Sequence, residues 1–96
     1  MSRTPIHPGE TLGDELVELG ISAAELARSI RVPANRISQI LASKRNITAD
    51  TALRLGRWFG TGPQLWLNLQ QAYELDLAQK QLGDELEAIA PRSVAA

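Results

Sequence analysis

Ninety-six residues with 44% apolar and 22% charged side chains describe one ordinary globular domain, too short for a second core. There is no cysteine, which excludes disulfides, zinc–thiolate sites and cysteine nucleophiles. The opening MSRTPIHPGE lacks the apolar segment of a secretory leader and no apolar run reaches membrane-spanning length, so the expectation is a cytoplasmic chain that does not engage a membrane.

In chain order, Pro8-Gly9-Glu10 reads as a helix start, Pro being tolerated where its missing N–H has no partner to lose. Leu12, Leu16 and Leu19 form the apolar stripe of this first helix, and Gly20 ends it. Ser22 and Glu25 form a capping box for a second helix that buries Leu26, Ala27 and Ile30. Arg31-Val32 is a tight break, and Pro33 opens a third helix reaching about Ala42. After the polar connection Ser43-Lys44-Arg45-Asn46, Thr48 is placed to cap a fourth helix, from about Ala49 to Phe59, with Leu53, Leu55 and Phe59 among its apolar positions. Pro63 starts a fifth, closed near Gly83, and Pro91 and the final SVAA suggest a frayed tail. No strand-like alternation occurs. The expected fold is all-α with five helices: a helix-turn-helix domain over residues 1–83, its motif over about 22–42, a fifth helix over about 63–82, and a tail over 84–96.

Two short helices joined by a tight turn, the second with a varied polar face, form a helix-turn-helix pattern. The first turns of a recognition helix lie against base edges in the major groove, and the residues of VPANRISQIL at 32–41 suit that task. Asn35 matches adenine, Arg36 matches guanine, Ser38 and Gln39 add hydrogen-bonding groups, and Ala34 suits a thymine methyl. Arg28, Lys44 and Arg45 are the candidate phosphate contacts, which confer affinity without sequence information. The alternative for the whole set is a solvated face. Net charge is −1, but its distribution is uneven. Residues 22–60 carry seven basic side chains against Glu25 and Asp50, a balance of +5, while residues 1–21 and 61–96 each balance to −3. Salt screens charge beyond roughly 10 Å, so the basic middle can meet DNA although the whole chain is slightly acidic.

The fifth helix presents an apolar arc wider than the about 100° face that a bundle-edge helix needs. Leu65, Leu69, Ala72 and Tyr73 are therefore the candidates for a two-fold contact that sets two recognition helices one DNA turn apart. His7, the single histidine, has no companion at metal-ligand spacing, and no catalytic or cofactor-binding constellation is present, so neither an enzyme nor a metal or cofactor protein is expected.

HPGETL at 7–12, SAAELARSIRVPANRISQIL at 22–41 and ITADTALRLGRWFGTGPQLWLNLQ at 47–70 together resemble the HigA-type antitoxins of the lambda-repressor-like helix-turn-helix superfamily, over roughly residues 6–75. The resemblance implies a five-helix domain, a homodimer formed through the last helix, binding to double-stranded operator DNA with repression of the chain's own operon, and neutralisation of a HigB-like mRNA-cleaving toxin. The alternatives are a solitary regulator without a toxin and a toxin-binding module that no longer binds DNA. Two positions depart from the pattern. Arg31 stands where many relatives have Gly and must avoid the left-handed conformation or bear its cost; Ala23 stands where many superfamily members place a phosphate-contacting Gln.

Overall fold

The computed structural model describes residues 4–93, which hold six helices and no strand. They are α1 (Pro8–Leu19), α2 (Ala23–Ile30), α3 (Ala34–Leu41), α4 (Ala49–Phe59), α5 (Pro63–Leu82) and α6 (Asp84–Ala88). None is long and apolar enough to cross a membrane. The all-α expectation is met. The sixth helix is an addition: Asp84–Ala88 lies where the sequence suggests a tail.

The core is aliphatic, as the scarcity of aromatics requires. Leu12 and Leu16 of α1, Leu26, Ala27 and Ile30 of α2, Ile37 and Ile40 of α3, and Ala52 and Leu55 of α4 close around Trp66 of α5. Two leucines at apolar helical positions lie outside it. Leu19, at the end of α1, is 52% exposed, and Leu53 is 59% exposed. The buried face of α4 runs through Thr51, Ala52, Leu55 and Gly56, and the helical repeat turns position 53 away from it.

Helix ends are set by local chemistry. The Ser22–Glu25 capping box forms in full, with Glu25 N–H donating to Ser22 Oγ at 3.1 Å and Ser22 N–H to Glu25 Oε1 at 3.5 Å. Thr48 takes the N-cap position of α4 without a side-chain cap bond, and Pro33 sits at the N-cap of α3, one residue before the helix. Three helices close with the same 6→1 backbone bond, from Ile21 to Leu16, Val32 to Ala27 and Lys44 to Gln39. Each such exit needs a residue in the left-handed region. Glycine fills it once, at Gly20, whereas Arg31 (φ 62°) and Ser43 (φ 61°) fill the other two. Arg31 therefore bears the left-handed cost, about 1–2 kcal/mol for a residue with a Cβ.

Two glycines are required for packing rather than for a turn. A Cβ on Gly9 would overlap the Ile40 carbonyl, so α1 and α3 touch through bare backbone there; a Cβ on Gly56 would overlap the backbone of Gly62. Replacing Gly9 by Ala is expected to destabilise the domain by about 1–3 kcal/mol, the cost of overpacking a rigid contact. A urea melt showing wild-type stability would refute that close approach.

His7 caps α1. Its Nδ1 accepts the Gly9 N–H at 2.9 Å, and its ring meets Tyr73 of α5 edge-on at 4.9 Å. Burial pushes the His7 pKa below its ordinary 6.5, against the opposing pull of the Arg45 backbone carbonyl and Glu10. The unfolded chain then takes up this proton at a higher pH than the folded one. Stability is full above pH 6.5 and falls as the pH drops through that value. Urea midpoints measured between pH 7.5 and 5.5 are expected to decline, and His7→Asn, which keeps an acceptor for the cap but cannot charge, is expected to flatten the decline over the same interval.

Candidate nucleic-acid interface

The helix-turn-helix is α2, the turn Arg31–Pro33, and α3. Ile37 and Ile40 are fully buried and fix how α3 faces the core. The helical repeat then places Asn35 and Gln39 on the far side of α3, with Arg36 and Ser38 on opposite flanks. Ala34, Asn35, Ser38 and Gln39 are all exposed. The Asn35 side chain has no protein partner among the described residues, and Ser38 Oγ donates back to the Asn35 carbonyl at 3.3 Å.

Arg45 reaches across to this surface, its Nη1 donating to Gln39 Oε1 at 3.2 Å. The bond joins a candidate base reader to a candidate phosphate contact. Lys44 is exposed beside it, its backbone N–H fixed to the Gln39 carbonyl at 2.9 Å. The connection from α3 to α4 is pinned from below by Gln70 of α5. Gln70 is buried, accepts the Ile47 N–H on Oε1 at 2.7 Å, and donates from Nε2 to Glu74 at 2.8 Å. Arg28 stands apart, exposed in the last turn of α2. Ala23, where a phosphate-contacting Gln was noted as missing, packs partly buried against the core.

Arg36 is held on the α4 flank. Its Nη1 donates to Asp50 Oδ1 at 2.8 Å, and the same oxygen accepts Arg54 Nε at 2.8 Å. These hydrogen bonds, from Arg54 first and Arg36 second, hold the Asp50 carboxyl below its ordinary 3.8 and keep it ionised at neutral pH. Arg54 also donates from Nη1 to the Ile30 and Arg31 carbonyls at 2.9 and 3.1 Å. Those carbonyls lie at the end of α2 and in the left-handed turn, so Arg54 steadies the strained residue. Asp50, Arg54 and Gln70 were not among the residues the sequence singled out. The acid–base pair four apart at 50 and 54 is a readable helix signal; a lone Gln among the leucines of α5 is a weaker one.

The predicted two-fold residues divide. Leu69, Ala72 and Tyr73 line one shallow pocket with Ile6, Thr11 and Asp76, whereas Leu65 stands outside it, 44% exposed. Tyr73 also packs within the monomer, against His7.

The helix-turn-helix family model matches residues 12–66, more than half of the chain. Virulence-associated protein I of Dichelobacter nodosus is 50% identical over 76 residues, spanning 78% of this chain and 70% of the relative. An addiction-module antidote protein of the HigA family from Coxiella burnetii superposes with a TM-score of 0.90 at 49% identity, covering 93% of this chain and 99% of its own. The Pseudomonas aeruginosa antitoxin HigA, solved with the higBA promoter, superposes with a TM-score of 0.88 at 46% identity, covering 94% and 100%. A matched motif, a shared architecture over nearly the full length, and close to half of the residues in common place this chain in the HigA family of helix-turn-helix antitoxins.

Proposed function

We propose that this chain is an operator-binding antitoxin that represses its own operon and sequesters a HigB-like toxin ribonuclease. The observation that carries the DNA-binding half is the outward line of Asn35 and Gln39 on a helix whose inner face is fully buried, with Arg45 bonded to Gln39 at its edge. A helix so fixed presents its first turns to a major groove without rearrangement. Ala34, Asn35, Arg36, Ser38 and Gln39 meet base edges, and Arg28, Lys44 and Arg45 meet phosphates. The likeness to a HigA protein solved with its promoter supports the same reading. The chain acts by binding rather than by catalysis.

Operator recognition by two copies needs recognition helices about 34–36 Å apart. The shape of the chain supports pairing through α5. Its radius of gyration is 16.8 Å and its longest extent 55 Å, against about 12–13 Å for the radius of a compact chain of this length. The far half of α5, α6 and the residue that follows it leave Leu75, Leu82, Leu86 and Ile89 exposed. A homodimer that covers this arm, with Leu65, Leu69, Ala72 and Tyr73 at or beside the two-fold axis, removes the apolar surface and spaces the two α3 helices together.

Fluorescence anisotropy with the chain's own upstream promoter and with a scrambled duplex tests the proposal. Tighter binding to the promoter at physiological salt is expected, and equal affinity would refute it. Asn35→Ala is expected to weaken promoter binding by about 1–3 kcal/mol and to relax preference at one base pair. Lys44→Ala is expected to weaken every duplex alike and to lower the salt slope by about one. For the toxin, co-expression with the adjacent reading frame should yield a complex that survives gel filtration. If the neighbouring product elutes separately, or no short ribonuclease-like neighbour exists, the chain is a solitary regulator.

A further inference from the structure

The Asp50 carboxylate occupies an unusual place for an acid, at the rim of a surface otherwise set with basic groups. It stands in the first turn of α4, facing the flank of α3, and one of its oxygens accepts both Arg36 and Arg54. Arg54 cannot follow it outward, because its other donor is fixed to the Ile30 and Arg31 carbonyls. The chain of bonds therefore runs from the helix-turn-helix turn through Arg54 and Asp50 to Arg36, and it ends on a base-contact candidate that is already paired with a carboxylate. Asn35 and Ser38 meet no charged partner among the described residues, and Gln39 accepts from the Arg45 guanidinium rather than meeting a carboxylate.

We propose that Asp50 is a specificity-determining residue: by holding the Arg36 guanidinium on the α4 flank, it keeps that charge from gripping phosphates of any sequence and yields it only to a base edge that binds it better. The inference rests on the DNA-reading proposal above. An unrestrained arginine at the edge of a recognition helix has two outlets. A phosphate, present at every step of every duplex, takes it as a point charge, whereas the O6 and N7 of a guanine take it as a planar fork. The Asp50 carboxylate competes with both. Asp50 is 57% exposed on its side chain and Arg36 27%, so the pair is solvent-screened and exchangeable rather than locked. A bidentate guanine contact displaces it; a single phosphate contact gains less from doing so and also meets the repulsion of the carboxylate. Asp50 thus lowers affinity for random DNA more than affinity for the operator.

The test measures dissociation constants for the promoter and for a scrambled duplex over a salt series. It uses wild type, Asp50→Asn, Asp50→Glu, Arg36→Ala and the Asp50→Asn/Arg36→Ala double variant, each checked for folding by thermal melting. Asp50→Asn is expected to tighten binding to scrambled DNA, to lower the promoter-to-scrambled ratio by about tenfold, and to steepen the salt slope on scrambled DNA by about one, as a freed Arg36 adds one phosphate contact. Asp50→Glu, which keeps the charge, is expected to retain most of the ratio. In the Arg36→Ala background, Asp50→Asn is expected to leave the ratio unchanged. If Asp50→Asn does not fold, Asp50→Ser removes the same charge with a smaller polar side chain, and the same three results are expected. The inference is overturned if charge removal shifts both affinities by one common factor, which is bulk repulsion, or if the ratio falls equally without Arg36. A wild-type protein with no promoter preference overturns the DNA-reading proposal and this inference together; a wild-type preference that survives charge removal overturns the inference alone.

Discussion

The structure depends on how the inner face of α3 is seated. Ile37 and Ile40 have no solvent exposure, and the Ile40 carbonyl lies directly against Gly9, where no side chain fits between α1 and α3. A helix of eight residues is too short to be stable by its own propensity. It exists because its apolar stripe is buried, and the burial fixes which residues face outward. The polar face is thus a consequence of the core: once Ile37 and Ile40 are inside, Asn35 and Gln39 have nowhere to point but solvent. A carbonyl lodged against a glycine leaves α3 little room to roll, and rolling would carry the recognition surface off its register.

Around that contact, side chains from distant parts of the chain hold the irregular segments in place. The two left-handed residues that carry a Cβ, Arg31 and Ser43, lie at the ends of α2 and α3, the two helices of the motif. Arg54 bonds the carbonyls at the first exit, and Gln70 bonds the backbone at Ile47 beyond the second. The first exit is met by hydrogen bonds from α4, and the chain that leaves the second is held by one from α5. The two later helices therefore do more than complete the core: they hold the turn before α3 and the basic connection after it, the two segments that flank the polar face of α3.

Charge follows the same logic. Of the seven basic side chains in residues 22–60, Arg36 and Arg54 are committed to Asp50, and Arg45 leans on the neutral Gln39. The net charge of the chain gives no account of this arrangement. What decides the local field is the arrangement of side chains: a polar line on α3, Arg45 bonded to Gln39 at its edge, and the Asp50 carboxylate on Arg36.

Much of this was legible from one sequence because it is written in short-range chemistry. The Ser22–Glu25 box, the Gly20 exit and the apolar spacing of Leu26, Ala27, Ile30, Ile37 and Ile40 act over a turn or two, so helix starts and the inward face of α3 could be read directly. The long-range pairs could not. Nothing near position 70 announces a bond to Ile47, and nothing near 36 says that its guanidinium lies on a carboxylate from α4, since fourteen and twenty-three residues separate these partners. The same limit applies to Leu19 and Leu53, apolar positions of α1 and α4 that stay exposed: hydrophobicity says that a side chain prefers burial, but only the packed neighbours decide whether a site is there to receive it. The sequence by itself determined the first five helices, their order and the residues on the outer face of α3. The tertiary structure alone decided how Arg36 is restrained, how the left-handed turn at Arg31 is steadied and where Lys44 and Arg45 stand, because each depends on helices that meet only after the chain has closed on its core.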